Sequence, residues 1–218
     1  MSVLTPGPKP PFGVLRDDIE RCEVSLSDSD WQELIAQCSE VTFSKGHVVF
    51  DVGVIPDGLL FVTEGIAAAE LILPDGRCIV HRFFERRQLC TTITAAWLGT
   101  ETADSITTVS RAKGICIPRK FWLDAYLYGG ALGVYFRKKA LESIVFDKEL
   151  IRVKTLNSTA ESYDFLSSAY DRVVELVSQK DIARFIGVTP EGLSRFLKSR
   201  RQVLDGSGAG SRPEKCTT

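Results

Sequence analysis

The stretch Ser178–Arg201, S-Q-K-D-I-A-R-F-I-G-V-T-P-E-G-L-S-R-F-L-K-S-R-R, decides how this chain is read. It spells two short helices joined by a glycine turn. Ser178 is an N-cap, and Asp181 three positions on brings negative charge to the first turn, where the helix dipole favours it. Ile182, Ala183 and Ile186 recur at helical spacing. Gly187 supplies the bend, Thr189 caps the next helix, and Pro190 takes its first position, where a missing N–H costs nothing. Leu193, Phe196 and Leu197 turn inward. Glu191, Ser194, Arg195 and Lys198 fall at i, i+3, i+4 and i+7 and share one outer face. That is the layout of a helix-turn-helix whose second helix enters the DNA major groove.

The chemistry suits that role. Arginine can grip O6 and N7 of guanine with two bonds, glutamate accepts from N4 of cytosine, and each good pair discriminates by about 1–3 kcal/mol. Lys198, Arg200 and Arg201 follow without an intervening acid, which suits phosphate contact. Gln179 and Thr189 complete the set of candidate DNA contacts. The same spacing also fits an ordinary helical hairpin with a solvated charged face.

The whole segment resembles the helix-turn-helix of the CRP/FNR family of one-component transcription regulators. Its E-x-x-S-R string (Glu191, Ser194, Arg195) is similar to the base-reading trio of the FNR branch, which implies half-sites with a TTGA-like core. The run Q-K-D-I-A-x-x-x-G-V-T-P-E-x-L-S-R resembles a short-form, wingless subgroup. By the same resemblance the partners are double-stranded DNA, a second copy of the chain and RNA polymerase.

Between Val41 and Ile79, short apolar runs alternate with Gly46, Gly53, Gly58, Gly65 and Gly76, as expected for an antiparallel roll or barrel. The Asp75-Gly76 pair signals a hairpin. Beside the helix-turn-helix, this region resembles the family's cyclic-nucleotide-binding-type β-roll, and the likeness runs from about Leu34 to Arg201. The implied fold class is α+β: an N-terminal antiparallel β-roll, a long dimerisation helix and a C-terminal helix-turn-helix.

The expected divisions are a flexible, proline-rich lead-in over 1–20, a sensor roll over 21–128, and a dimerisation helix over 129–157. A reader over 158–202 and a Gly- and Ser-rich disordered tail over 203–218 follow. From Ala131 to Leu156 the residues Val134, Leu141, Ile144, Val145 and Ile151 make a stripe near heptad spacing. That stripe packs on a twin helix, on its own roll, or on both. Neither the family's usual wing after the recognition helix nor the strands before it are expected.

Net charge is −1, but Arg172–Thr218 carries nine basic and five acidic residues. An acidic sensor joined to a basic reader is the pattern a DNA-binding module needs. No apolar run approaches the ~20 residues of a membrane span, and the N-terminus has no hydrophobic signal core, so a cytoplasmic location is expected.

Relatives that bind cyclic AMP carry a Gly-Glu pair and a downstream Arg-Ser or Arg-Thr. Here Arg87-Gln88 and Thr102-Ala103 stand in those places. A buried phosphate without a partner cation is costly, which argues against a cyclic nucleotide; Arg82 or Arg87 remains available to another anion. Gln88, Thr91, Thr92 and Thr102 are the effector-pocket candidates, unless they only satisfy strand-end backbone groups. Phe83 and Trp97 are aromatic candidates for its wall.

Cys22, Cys38, Cys78, Cys90, Cys116 and Cys216 show no iron–sulfur spacing. Cys78, Cys90 and Cys116 read as small core residues, and Cys22 with Cys216 as a candidate redox pair. His47 and His81 are the candidate haem ligands, set against a surface or hydrogen-bonded role. No catalytic motif is present, so an enzyme is not expected. The competing reading is a sensory or scaffold protein with a degenerate helix-turn-helix.

Overall fold

Short β-branched and aromatic runs become strands wherever a turn residue lets the chain reverse. The computed structural model describes residues 10–156 and 158–207. One antiparallel sheet, in spatial order, holds β1 (Ser39–Phe43), β8 (Ala112–Pro118), β3 (Gly58–Glu64) and β6 (Leu89–Cys90). The other holds β2 (Val48–Phe50), β7 (Ser105–Thr108), β4 (Ala67–Ile72) and β5 (Cys78–Phe84). Phe50, Leu60, Val62, Ala67, Ala69, Phe84, Cys90 and Ile106 fill the space between them. This is the expected roll.

The Asp75-Gly76 turn joins β4 to β5, with Gly76 at φ +81° and the Asp75 carboxylate accepting the Arg77 N–H at 3.0 Å. Gly58 plays a different part from the turn expected of it. It opens β3, where a Cβ would meet the Ile117 carbonyl at 2.4 Å, so close strand approach is its reason.

The lead-in expected to be flexible over 1–20 carries helix α1 (Pro11–Arg21). Pro11 is a first-turn proline, so it starts this helix and does not mark a linker. Val14, Leu15 and Ile19 are buried with Trp122, Tyr135 and Phe136. The buried Asp18 accepts a 2.9 Å hydrogen bond from Tyr135, and the Lys139 ammonium lies 3.3 Å from the same carboxylate. Helix α2 (Asp28–Gln37) begins in a Ser27/Asp30 capping box, and α3 (Ile93–Leu98) and α4 (Arg119–Tyr128) follow within and after the roll.

Helix α5 (Ala131–Leu156) runs for 26 residues. Leu132, Tyr135, Phe136, Leu150 and Val153 are buried against the chain's own body. The opposite stripe is bare: Leu141, Ile144, Val145 and Ile151 are 61–67% exposed and Val134 41%. The heptad pattern is therefore the outer face of α5, and packing on the roll uses other residues.

Helices α6 (Thr159–Ala169), α7 (Val173–Leu176), α8 (Gln179–Ile186) and α9 (Pro190–Ser207) complete the described chain. Helix α9 passes residue 202, where the reader was expected to end, and takes the first residues of the expected disordered tail into its last turns. The remainder of that tail, the place of the wing and Cys216 lie outside the described residues. Among the described residues no strand lies between α5 and α8, as expected.

Candidate nucleic-acid interface

Local chemistry builds the helix-turn-helix as the sequence implies. Ser178 Oγ accepts the Asp181 N–H at 3.2 Å, and Gly187 ends α8 in the left-handed region at φ +85°. Thr189 Oγ1 then accepts the Gly192 N–H at 3.0 Å, capping α9. Ile182, Ala183, Phe185 and Leu193 are buried, with Phe196 and Leu197 packed beside them. Burying that side fixes what the other side presents. Gln179, Thr189, Glu191, Arg195, Lys198 and Arg201 are exposed, and Ser194 is half-buried between them. Among the described residues no ion pair or side-chain hydrogen bond engages Glu191, Arg195 or Lys198, so all three keep their full donor and acceptor capacity.

Arg200 differs from its neighbours. Its guanidinium pairs with Asp164 of α6 at 2.5 Å and lies 5.6 Å from the Tyr163 ring centre. It braces α9 against α6 in this arrangement and is not turned out with Lys198 and Arg201. Asp164 sits 36 positions upstream, a pairing no local pattern announces.

The sensor candidates fare unevenly. Gln88 Oε1 accepts the Glu85 N–H at 3.2 Å, Thr91 Oγ1 donates to the Gly58 carbonyl at 3.2 Å, and Thr102 Oγ1 accepts the Asp104 N–H at 3.0 Å. Three of the four thus satisfy backbone groups. Thr92 alone keeps a buried hydroxyl without a partner. Phe83 points away from the roll interior and stacks on Phe185 of α8, with ring centres 5.2 Å apart.

Arg87 stands at φ +71°, a left-handed conformation that glycine adopts freely and other residues at a cost of roughly 1–2 kcal/mol. Arg87→Gly is therefore expected to raise stability by about 0.5–1 kcal/mol, once glycine's larger unfolded-state entropy is deducted, as read by denaturant melts.

Arg82 is the buried cation of this region. Its side chain is 9% exposed, lies over Phe84 and Phe146, and donates to Ser143 Oγ at 2.8 Å and Asp147 Oδ1 at 2.6 Å, both on α5. Its charge is already met within the chain. By the resemblance, Thr102-Ala103 stands where cyclic-AMP-binding relatives carry Arg-Ser, and Thr102 brings no cation to a phosphate.

The histidines do not form a common site. His47 is exposed and stacks on Phe43 at 4.6 Å; His81 Nε2 lies 3.5 Å from Asp104, and burial lowers its pKa. Burial raises the pKa of Cys22, Cys78, Cys90 and Cys116, and pushes Cys38 up to about 12. Protonated thiols are poor nucleophiles and poor metal ligands. Among the described residues no helix is long and apolar enough to cross a membrane.

No family model matches the sequence, and no curated protein matches it by sequence. Solved structures do match. FixK2 from Bradyrhizobium japonicum superposes with TM-score 0.65 at 15% identity, over 80% of this chain and 90% of that one. A protein from Eubacterium rectale, described as a transcriptional regulator of the crp/fnr family, gives 0.63 at 16%, over 83% and 85%. A cyclic nucleotide-binding domain containing protein from Listeria monocytogenes gives 0.60 at 15%, over 85% and 89%. Over most of its length the chain therefore has the fold of CRP/FNR-type transcription regulators.

Proposed function

We propose that the chain is a non-enzymatic, sequence-specific DNA-binding transcription regulator that acts in the cytoplasm as a homodimer. Two copies of α9 enter successive major grooves and read TTGA-type half-sites, with centres about 34–36 Å apart. The observation that carries this reading is the division of α9. Its inner side is buried with α8, and Glu191, Ser194, Arg195 and Lys198 stand together outside. Glu191 and Arg195, one turn apart and unpaired among the described residues, have their hydrogen-bonding groups free to meet base edges.

The dimer reading rests on α5. Its bare stripe includes an open apolar groove of ≈ 600 Å³ lined by Leu141, Val145 and Phe146, flanked by Lys138, Glu142 and Glu149. Apolar centres with charged flanks are what a two-helix seam requires. An effector other than a cyclic nucleotide, acting on the roll, would shift the pair of readers between competent and incompetent spacings.

The test is a fluorescence-anisotropy titration on duplexes bearing paired TTGA half-sites and on scrambled ones. Preferential binding of the paired sites is expected, and equal binding of both contradicts the reading. Within that assay Lys198→Ala should weaken all sequences alike. It should reduce the slope of log K against log salt by about 0.9 per reader, the share of one phosphate contact.

A further inference from the structure

Strand β5 lies at the border of its sheet, hydrogen-bonded to β4 on one side only. An open strand edge carries unpaired backbone groups that some other element must satisfy. Here the pairing also slips at His81, which has no partner on β4, so the consecutive carbonyls of Val80 and His81 become available together.

Lys154 of α5 donates to both carbonyls, at 2.9 and 3.2 Å. The Phe83 N–H donates to the hydroxyl of Tyr170, at 3.3 Å. Just past the strand, Glu85 accepts the N–H groups of Asp171 at 2.8 Å and Arg172 at 3.2 Å, holding the junction between α6 and α7. A ring stack, a cation–ring contact and an ion pair finish the joint. Phe83 stacks on Phe185, the Lys154 ammonium sits 4.1 Å from the same ring centre, and Arg184 of α8 reaches Glu70 of β4 at 3.7 Å.

We propose that the outer edge of β5 is a seat that fixes the direction of the reading helix, with Glu85 and Lys154 as its two positioning residues. The inference rests on the DNA-reading role assigned above. Neither residue touches the outer face of α9, and that face stays open while the reader is seated. The seat therefore pre-orients the reader and does not mask it. A reader held in one direction favours one half-site spacing; a loosened one must be ordered on binding and tolerates several. Burial depresses the Lys154 pKa to about 8, in keeping with an ammonium drawn into the joint.

The experiment compares wild type with Glu85→Ala on operators whose two half-sites are moved apart in single base-pair steps, with hydrogen exchange of both proteins measured without DNA. Wild type should favour one spacing by about tenfold or more. The variant should bind all spacings within about threefold, keep the same salt slope, and exchange faster at 171–186 alone. A folded variant with the wild-type spacing preference and wild-type exchange overturns the proposal. Should wild type bind no operator, the DNA reading fails, and exchange at 171–186 still decides whether the seat exists. If Glu85→Ala does not fold, Lys154→Gln takes its place with the same expected and contrary results.

Discussion

Ile144→Glu is expected to convert the proposed dimer to a monomer and to weaken operator binding by at least about 10²-fold, without loss of folding stability. Ile144 is 63% exposed in the single chain, so its removal costs almost no internal contact. In a paired α5 seam two glutamates would face each other in an apolar setting, and ionised groups there are costly. Linking two readers makes the second half-site an intramolecular target, a gain of about 10²–10⁴ that a monomer forfeits. Sedimentation gives the oligomeric state, circular dichroism the fold, and anisotropy the affinity. A variant that stays dimeric at micromolar concentration would place the dimer contact elsewhere.

Asp147→Ala is expected to destabilise the protein by about 2–3 kcal/mol in denaturant melts. Arg82 is almost fully buried, and Asp147 is its counter-ion at 2.6 Å. Removing one partner of a buried pair costs about 3–5 kcal/mol, because the other charge is left uncompensated. Asp147 is itself 41% exposed, so solvent screens part of the interaction and the lower figure applies. The companion test is Arg82→Met with Asp147→Ala. Replacing a buried ion pair by apolar groups is often neutral, so the double variant should recover most of the loss. If it were as unstable as the single variant, Arg82 would matter for its packing on Phe84 and Phe146 and not for its charge.

The two ends of the chain differ in how far they could be read ahead of the structure. The reader was legible because its determinants are local. Ser178, Gly187, Thr189 and Pro190 each fix the backbone within three or four residues, and the structure uses them as caps and turn. The roll was legible through its glycines, although Gly58 serves close packing and not a turn. Helix α1 was missed because Pro10-Pro11 reads equally as linker and as helix start, and its anchor, the Asp18–Tyr135 hydrogen bond, spans 117 positions. Arg200 and the β5 seat escaped for the same reason. Asp164, Tyr170 and Lys154 meet their partners only through tertiary folding, and a pattern confined to neighbours carries no trace of them. The pocket candidates stand out only by resemblance to a ligand cassette, a likeness of position that says nothing of what each hydroxyl or amide meets; three of the four hydrogen-bond backbone groups.

The α5 stripe lies between these extremes. Its heptad spacing was visible, but spacing alone could not say which way the stripe faced. Exposure decided that, because the buried residues of α5 are a different set.

The most direct measurement of the reading claim is a thermodynamic cycle across the interface. It pairs Arg195→Ala with replacement of the half-site guanine, and takes each alone and both together by anisotropy. A direct two-bond contact predicts that each change alone costs about 1–3 kcal/mol and that the second costs almost nothing after the first. Strictly additive losses, or an unchanged preference for guanine in Arg195→Ala, would contradict it.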